Sequence, residues 1–590
     1  MQLKTGIRVA ARAVLPNRDW APIEAWDDER YGRYLDRVKA QPDDLEAQRQ
    51  ASKGVNGPLF SIIVPLYKTP ASYLRDMAES VLAQTYPRFE LVLVNASPES
   101  DELCALTAEF VERDSRVCVV ELEGNLGITE NTNRGVDVAR GDFVCFMDHD
   151  DWIEPDTLFE YAAALHEHED IDLFYCDEDM VEKRGDSWTY CHPMFKPDYS
   201  PEFLLCRNYV MHFLAVRKSV IEKLPRPGKE YDGAQDYNLT FRVAERARRV
   251  HHVARVLYHW RISDTSTAMD AGAKPYARRA SVLSVKGHLD RLGAIASVVD
   301  SGVPYIHNIW FRPDDVAKVS VIAIESDGAD CGSLARMLES FTQVNSYRNV
   351  ELVAVVAHSE HDADALSAVG ARRVTAHAND TMLERFNAGA REASGDVLLF
   401  LDSNCEFATP EPIEQIVGMI GLSGVGIVAP KVLYADYRVK YFGIGVSQRG
   451  VVPLYRGFPL GHYSYLCNLR AFQNASAAGY QGLAISKELF SGLGGFDANY
   501  STEMGSVALC ARASEQGERI ALTCTVMVLT SELPPQRVFD MRGNHADFPV
   551  DEVDRFRRSL ATPCNANDMY RNPHLDQASS YPEININLHA

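Results

Sequence analysis

Short apolar runs alternate with amphipathic stretches along this chain from about residue 59 onward. The runs Ser61–Val64, Glu90–Val94 and Phe143–Met147 have the length and composition of buried strands. Between the first two, Tyr73–Gln84 carries apolar residues at helical spacing. Strands that alternate with helices form right-handed βαβ units, so the pattern predicts an α/β fold with a mostly parallel sheet. The preceding residues, 19–58, are polar and helical in pattern, and they end in a linker.

The same pattern restarts in the second half of the chain, which predicts an internal duplication. The segment 133–150 aligns without a gap on 387–404, and seven of these positions carry identical residues. At 590 residues the chain is also too long for a single core. The repeat predicts a helical segment at 1–58, α/β domains at 59–315 and 316–535, and a tail at 536–590. The tail is polar, and we expect it to wrap the second copy or to be partly loose.

The charge balance narrows the choice of partners. A formal net charge of −22 argues against nucleic acid or an anionic membrane as the main partner of the whole surface. The 12 cysteines include no Cys-x-x-Cys pair, and no apolar run approaches the roughly 20 residues that a membrane-spanning helix needs. We therefore expect a cytoplasmic protein with reduced thiols and no nucleic-acid partner.

The first 15 residues are an exception to this acidic character. Leu3, Ile7 and Val14 fall on one helical face, and Lys4 and Arg8 fall on another. Such a basic amphipathic helix suits peripheral binding to the inner face of the cytoplasmic membrane. A short helix docked on its own domain fits the same pattern, and the sequence leaves both interpretations open.

Three carboxylates follow the apolar run Phe143–Met147, in the sequence Asp148-His149-Asp150-Asp151. The C-terminal ends of parallel strands are where open α/β sheets bind their ligands. Crowded carboxylates repel one another unless a cation neutralises them. Proteins commonly hold Mg²⁺ or Mn²⁺ through one or two carboxylates together with substrate phosphates. An acidic loop that caps the next helix is the alternative interpretation.

The second copy provides an internal control, because residues needed only for folding should survive in both copies. Asp150 is replaced there by Asn404, a neutral amide that binds a hard cation much more weakly. Asp148 is kept as Asp402, so it serves structure, ligand binding or both. The comparison predicts that Asp150 is a metal ligand and that Asp148 contributes to the same site. Asp151 has no assigned role.

Two further ionisable residues are lost in the second copy. Asp236 opens a helical run and is replaced by Ser506. A carboxylate in that place is ionised at neutral pH and suits a general base that takes a proton from a hydroxyl nucleophile; a helix N-cap is the alternative. His259 has no histidine counterpart, and its neutral imidazole would complete a metal site. A packed, hydrogen-bonded core histidine is the alternative for this residue.

Five motifs occur in order along the first copy, and together they cover most of residues 59–275. They are Ser61–Tyr67, Ser80–Pro87, Asn125–Gly127, Asp148–Asp151 and Tyr258–Arg261. This set resembles the family 2 glycosyltransferases of GT-A fold, most closely the tandem-domain members of bacterial surface-polysaccharide pathways. The second copy resembles the same domain with an eroded active site. The resemblance implies inverting transfer of a sugar from a nucleotide-diphosphate donor to a hydroxyl of a growing polysaccharide or lipid-linked oligosaccharide.

The resemblance also assigns roles to individual residues. It implies that Asp148 contacts the ribose or the metal, that Asp150 holds the metal, Mg²⁺ or Mn²⁺, and that Asp236 is the catalytic base. Arg261 and Ser266 would donate hydrogen bonds to the phosphates of the donor.

Other residues are predicted to form the nucleotide pocket or the acceptor side. Pro65 and Tyr67 would line the base pocket, and Asn133 is also assigned to donor binding. Where the family commonly has two aspartates, this chain has Asn95, whose amide pairs with a uracil or thymine edge. A UDP- or dTDP-sugar is therefore expected as donor. The predicted acceptor-side residues are Trp152, Asp177 and Asp179. For the last two, capping of a strand is the alternative.

Two other functions fit parts of the sequence. A non-catalytic scaffold of a polysaccharide assembly would bind without reacting, but the first copy keeps its full set of ionisable residues. A sugar-phosphate nucleotidyltransferase also uses a metal at a similar sheet, but no Gly-rich loop followed by lysine lies near the first strand. The second copy is expected to have no transferase activity, and to hold the acceptor or fix the quaternary arrangement.

Overall fold

A computed structural model describes residues 28–185, 187–262, 275–303, 305–328, 330, 332–357, 363–534, 548–560 and 567–584. The predicted amphipathic helix at the N-terminus lies outside these residues. Helices at Asp28–Val38 and Pro42–Ala51 confirm the helical pattern before residue 58. No helix in the described ranges has the length and apolarity to cross a bilayer.

The first half carries strands β1 to β11 in the described ranges. They are β1 (Phe60–Leu66), β2 (Phe89–Asn95), β3 (Val117–Glu121), β4 (Phe143–Phe146), β5 (Trp152–Ile153), β6 (Ile171–Arg184), β7 (Ser187–Met194), β8 (Leu214–Arg217), β9 (Arg249–Arg261), β10 (Ala296–Asp300) and β11 (His307–Phe311). The helices after residue 58 are Ala71–Leu82, Asp101–Arg113, Ile128–Val138, Thr157–Glu167, Pro201–Cys206, Lys218–Ile221, Gln235–Ala244 and Pro275–Arg291, with a 3₁₀ turn at Lys229–Tyr231.

The second half carries strands β12 to β23 in the described ranges. They are β12 (Val319–Ile324), β13 (Val350–Val356), β14 (Arg372–Thr375), β15 (Val397–Asp402), β16 (Cys405–Phe407), β17 (Val425–Leu433), β18 (Val439–Tyr441), β19 (Ile444–Ser447), β20 (Gly450–Pro453), β21 (Gln473–Ala475), β22 (Ala484–Ser486) and β23 (Arg519–Thr530). The helices are Ser333–Val344, Ala363–Ala368, Met382–Glu392, Pro412–Ile420, Lys487–Gly492, Thr502–Glu515 and Val550–Ser559, with a 3₁₀ segment at Tyr465–Arg470.

The main strands of the two halves follow the same order, and the second sheet has one further strand, β21, which pairs with β23. Within the described residues the first sheet has the order β3-β2-β1-β4-β8-β6-β9-β5, and β7 pairs with β6. The second sheet has the order β14-β13-β12-β15-β22-β17-β23-β16, and β18 pairs with β17. Strands β1 to β4 run parallel in the first sheet, and strands β12 to β15 run parallel in the second, as the alternating pattern predicted. The α/β fold class and the duplication are therefore confirmed.

One tie shared by both sheets explains why some residues are identical in the two copies. The Gly141 N–H donates to Oγ of Ser61 at 2.7 Å, and this hydroxyl donates to Glu90 at 2.6 Å. Gly395 and Ser320 repeat the first bond at 2.8 Å. A Cβ at Gly141 would lie 2.7 Å from the backbone nitrogen of Ser61, so only glycine fits this close approach.

Several contacts fasten the halves to each other. Arg519, on β23, pairs with the buried Glu202 of the first half at 2.7 Å, and Asn474 donates to the same carboxylate at 2.5 Å. On β11, the Phe311 N–H donates to Oε1 of Gln415 in a helix of the second half at 3.0 Å. These bonds place polar partners on either side of an apolar junction, which satisfies groups that burial would otherwise leave unpaired.

The C-terminal segment was expected to wrap the second copy, and the described part of it contacts both halves. Asn572 donates to both carboxylate oxygens of Asp177 in β6, at 2.9 and 2.8 Å. Asp568 accepts from the Val446 N–H of the second half at 2.8 Å. The described part of this segment therefore bonds to the second copy, as expected, and also to the first.

Candidate active site

The acidic motif lies at the C-terminal end of β4, in the centre of the first sheet. The Asp148 side chain is 47 % exposed. The Asp150 backbone carbonyl accepts a hydrogen bond from Nε of Arg261 at 2.6 Å, while its carboxylate accepts none within the described part of the chain. The motif does not cap the next helix, Thr157–Glu167, whose N-cap position is Asp156. The two carboxylates at 148 and 150 are thus available to a ligand.

Asp151 has a structural role. Its carboxylate is fully buried and accepts from the Tyr258 hydroxyl at 2.5 Å and from the Arg261 N–H at 2.8 Å. Burial, together with the charges of Asp150 and Asp148, raises the pKa of Asp151 well above its ordinary value. The residue ties the motif to the end of β9, so that loop and strand hold one arrangement.

Asp236, the predicted base, lies far along the chain from the acidic motif, but its charge acts on that motif. Partial desolvation raises the pKa of Asp148, the neighbouring His212 acts against this rise, and the negative charges of Asp150 and Asp236 add to it. Asp236 lies in the first turn of the helix Gln235–Ala244, whose N-cap is Ala234. Its Oδ2 atom accepts a hydrogen bond from Nδ2 of Asn208 at 2.7 Å. The charge of Asp236 therefore acts on the acidic motif, and Asp236 is not the N-cap of its helix.

A histidine that sequence reasoning missed adjoins this cluster. Nε2 of His212 lies 3.9 Å from Oδ2 of Asp148, and Nδ1 lies 3.3 Å from Oε2 of the buried Glu178. The ring stacks on Tyr258 with a centroid separation of 4.4 Å. Burial alone would lower the pKa of His212, but the carboxylates of Glu178 and Asp148 raise it to about 9. An imidazolium therefore faces the acidic motif.

Glu178 stabilises the positive charge of His212. It is fully buried, and its Oε2 atom accepts from Nζ of Lys196 at 2.9 Å. Burial acts to raise the pKa of Glu178, but the charges of Lys196 and His212 outweigh it and lower the pKa to about 2. A signal existed in the sequence, since Glu178 lies in an acidic run after a strand, but its partners come from separate segments.

His259 does not have a free nitrogen for a metal. Nδ1 lies 2.6 Å from Oδ1 of Asp179, and Nε2 lies 2.7 Å from Oε1 of Glu154, with the ring fully buried. Burial would lower the pKa of His259, but the two carboxylates raise it to about 9. A protonated ring has no lone pair to offer, so the predicted metal contact is wrong and the alternative of a packed, hydrogen-bonded histidine is confirmed.

The predicted acceptor-side acids are enclosed as well. Asp177 is fully buried and accepts from the Lys196 N–H at 2.7 Å and from Asn572. Asp179 is fully buried and accepts from the hydroxyl of Tyr31 at 2.7 Å. Neither carboxylate is open to an acceptor, so this prediction is wrong; these acids anchor the C-terminal and N-terminal segments to β6.

Arg261 is held among aromatic rings at the edge of the site. Its guanidinium carbon lies 4.3 Å from the ring centroid of Tyr73, 4.9 Å from that of Trp152 and 4.8 Å from that of Trp188. Nη2 also pairs with Asp76 at 2.9 Å. The side chain is 3 % exposed, and its bond to the Asp150 carbonyl holds the backbone of the acidic motif in place. Trp152, predicted for the acceptor side, lies beside it on β5.

The predicted nucleotide pocket is only partly open. Pro65 is the sixth residue of β1, and Tyr67 follows that strand with 42 % of its surface exposed. Asn95 is fully buried, and its amide donates to Glu121 at 2.8 Å while its oxygen accepts from the Ser97 N–H at 3.0 Å. Both ends of this amide are occupied, so the predicted contact of Asn95 with a base edge is not supported.

Two more predicted donor contacts have different outcomes. Nδ2 of Asn133 donates to the carbonyl of Pro227 at 3.1 Å. Its counterpart Asn387 makes the same kind of bond to the carbonyl of Phe496 at 2.8 Å, so this residue ties a helix to a loop in both halves. A donor-binding role for Asn133 is therefore not supported. Ser266 lies outside the described residues.

In the second half the matching site is closed. Asp402 is buried and accepts four hydrogen bonds, from Ser326 at 3.0 Å, the Asn404 N–H at 2.7 Å, Tyr480 at 2.5 Å and Gln481 at 3.2 Å. Each lone pair that would face a ligand is thus taken by the protein. Ser506, the counterpart of Asp236, is fully buried and donates to the Glu503 carbonyl at 2.7 Å.

The donor set for a cation in the first half consists of two carboxylates. Among the described residues no cluster of three or more His, Cys, Asp and Glu side chains is arranged to hold a metal ion. Two partly exposed carboxylates, Asp148 and Asp150, fit a hard divalent ion whose remaining ligands are phosphates and water. The residues present therefore fit Mg²⁺ or Mn²⁺.

The fold and this site define a class of protein, a tandem α/β protein with one open acidic site and one closed counterpart. Residues 61–225 match the model of the family described as Glycosyl transferase family 2. The motifs in this part of the chain predicted the same family.

Similar proteins extend the match over both sheets. An uncharacterised protein, y4gI, of Sinorhizobium fredii is 30 % identical over 88 % of this chain and 58 % of its own length. The O-antigen biosynthesis protein RfbC of Myxococcus xanthus is 28 % identical over 90 % of this chain and 41 % of its own length. The chain thus spans about half the length of these relatives. The crystal structure of Staphylococcus aureus TarS 1-349 in complex with UDP-GlcNAc covers 39 % of this chain and 66 % of its own, at 22 % identity and a TM-score of 0.33.

Proposed function

We propose that the first half transfers a glycosyl group from a nucleotide-diphosphate sugar, a UDP- or dTDP-sugar, to a hydroxyl group with inversion at the anomeric carbon. One observation carries this proposal. Asp148 and Asp150 are partly exposed at the end of β4 and the charge of Asp236 acts on Asp148, whereas Asp402 and Ser506 of the second half are buried and bonded within the protein. Ionisable groups that are kept open in only one of two equal folds serve chemistry rather than folding.

Asp148 and Asp150 would hold Mg²⁺ or Mn²⁺ together with the diphosphate of the donor. When bound, the ion supplies positive charge that stabilises the departing nucleoside diphosphate. The imidazolium of His212, 3.9 Å from Asp148, adds a second positive charge to the same region. Arg261 sets the position of Asp150 by binding its carbonyl, and Pro65 and Tyr67 would line the nucleotide pocket.

Asp236 would accept the proton of the attacking hydroxyl group. Asn208 holds Oδ2 of this carboxylate, which leaves Oδ1 for the acceptor. The hydroxyl oxygen bonds to the anomeric carbon as the bond to the diphosphate breaks, in a single in-line displacement that inverts the configuration. A general base of this kind contributes about 10²- to 10⁴-fold to the rate.

The class of acceptor is inferred from the name of a related protein. A relative that spans both sheets is named for O-antigen biosynthesis, which supports a bacterial cell-surface polysaccharide or a lipid-linked oligosaccharide as acceptor. Such a reaction belongs in the cytoplasm, at the inner face of the membrane. We assign the chemistry to 59–315 and propose that 316–535 does not transfer sugar but holds the acceptor or fixes the assembly.

The test is a donor screen on the full chain, which follows nucleotide release from UDP- and dTDP-sugars in the presence of Mg²⁺ or Mn²⁺. We expect release with one donor, its loss in Asp236→Asn and Asp150→Ala, and little change in the matched second-half variant Asn404→Ala. If no donor were turned over while sugars or nucleotides still bound, a non-catalytic scaffold would be the correct description. If Asn404→Ala alone abolished release, the roles of the halves would be reversed.

A further inference from the structure

The predicted base is not free in its site, because a second side chain holds it. Asn208 lies between the helix Pro201–Cys206 and β8, and its Nδ2 atom donates to Oδ2 of Asp236 at 2.7 Å. Its own Oδ1 atom is buried and accepts no hydrogen bond among the described residues. The amide therefore meets the carboxylate with its donor end, and a hydrogen bond to an ionised acceptor is about twice as strong as a neutral one.

The segment that carries Asn208 is rigid. Nζ of Lys196 is buried and donates to the carbonyls of Val210 and His212, at 2.7 and 2.8 Å. The Tyr209 hydroxyl accepts from the Ser200 N–H at 2.7 Å. Bonds to two backbone carbonyls and one side chain of the segment hold it in place, so the position of the Asn208 amide is set before any substrate binds.

The second half, whose matching site is closed, lacks both members of this pair. The strands β8 and β22 occupy equal places beside β4 and β15, and the Lys218 and Lys487 N–H groups bond to the carbonyls of Asp142 and Asp396, each at 2.8 Å. Counted back from this register, Ala477 stands at the position of Asn208. Ser506 stands at the position of Asp236, so both members of the pair are absent together.

We propose that Asn208 is a positioning residue for the general base, holding Oδ2 of Asp236 so that Oδ1 faces the acceptor hydroxyl. This inference rests on the proposed transfer reaction for its kinetic consequence. Its structural content, a hydrogen bond that fixes the orientation of the carboxylate, stands on the geometry alone. The acceptor need not contact Asn208 for the residue to act.

The experiment compares Asn208→Leu, which keeps the side-chain size but loses the donor, with Asn208→Asp, which replaces the donor by a second carboxylate. The matched control is Asn499→Leu, which removes an exposed bond from Nδ2 of Asn499 to Asp497 of 2.8 Å. Each full-length variant is first checked for an unchanged unfolding temperature. Donor turnover is then measured with Mn²⁺, and UDP affinity is measured by calorimetry.

We expect Asn208→Leu to lower kcat about 10- to 100-fold with the KM for donor and the UDP affinity within about threefold of wild type. Asn208→Asp should lower kcat further, because it replaces the donor by a second negative charge beside Asp236. Asn499→Leu should leave kcat and UDP affinity as they are. An unchanged kcat, or an equal loss of UDP affinity, would overturn the assignment.

A second measurement does not depend on activity. Crystal structures of the full-length wild type and Asn208→Leu compare the orientation of the Asp236 carboxylate. A carboxylate that turns away from its wild-type orientation supports the positioning role, and an unchanged orientation refutes it. Failure of every donor in the screen would instead count against the transfer reaction, so the two failures are distinguishable.

Discussion

Nε2 of His212 lies 3.9 Å from Oδ2 of Asp148, and Nε2 of Gln481 lies 3.2 Å from Oδ2 of Asp402 at the same place in the second sheet. One pair joins a cation to an open carboxylate, and the other joins a neutral amide to a buried one. The fold therefore keeps a donor beside this aspartate in both halves. Only in the first half is this donor positively charged, and the buried carboxylate of Glu178 lies beside it.

The first prediction converts the charged pair into the neutral one. His212→Gln keeps a donor near Asp148 but removes the positive charge, so we expect the KM for a nucleotide-sugar donor to rise about 10-fold, since one charge at 4 Å is worth about 1–4 kcal/mol in a partly solvated site. Steady-state nucleotide release would measure this. His166→Gln, on an exposed helical position, is the control. An unchanged KM would show that the imidazolium does not face the donor.

The second prediction separates the two copies of the shared aspartate. Asp402→Ala leaves four buried donors unpaired, and we expect it to lower the free energy of unfolding by about 1–3 kcal/mol while nucleotide release stays near wild type in the folded fraction. Asp148→Ala relieves crowding in an open site, so release should fall at least about 100-fold with little change in stability. Denaturant unfolding and the release assay together decide. Loss of stability in Asp148→Ala, with none in Asp402→Ala, would reverse the assignment.

The third prediction concerns pH and His259. Because the pKa of this ring is raised to about 9 from an unfolded value near 6.5, its contribution to stability is complete below about pH 6.5 and is lost as pH rises through about 9. We expect the free energy of unfolding to fall across this window by about 2 kcal/mol from this residue, and His259→Gln to flatten that fall. Urea unfolding at pH 6, 7.5 and 9 measures it. A slope in the variant equal to that of wild type would contradict the raised pKa.

The fourth prediction uses the glycines that are shared by both sheets. A Cβ at Gly141 or Gly395 would lie 2.7 Å from a backbone nitrogen of the neighbouring strand. We expect Gly141→Ala and Gly395→Ala each to lower the free energy of unfolding by about 1–3 kcal/mol. Gly124→Ala, where nothing lies within 4 Å of the added atom, is the control. Thermal unfolding that is unchanged in both variants would show that the strands move apart without cost.

The alternating pattern predicted the elements well where their signal is local. The expected strand Glu90–Val94 is observed as Phe89–Asn95, and the expected helix Tyr73–Gln84 as Ala71–Leu82. Apolar spacing reports which face of an element is buried, and that face is a property of neighbouring residues. The duplication followed from the same signal, because equal folds require equal spacing.

The predictions that failed concern side chains whose partners lie far along the chain. The sequence allowed a metal contact for His259, because it does not show that Asp179 and Glu154 bond to both ring nitrogens. Asp177 is closed by Asn572, which comes from the C-terminal segment. A sequence shows that a residue is ionisable but not which segment folds over it.

By itself, the sequence determined the α/β fold, its repetition and the set of carboxylates that only one copy retains, since these depend on spacing and residue type. The tertiary structure decided which of the ionisable groups are open. It left Asp148 and Asp150 exposed to a ligand, paired Asp236 with Asn208, and turned His259 and Asp179 into a buried ion pair. The reason is physical: a charge can act on a ligand only where folding has not already supplied it with a partner.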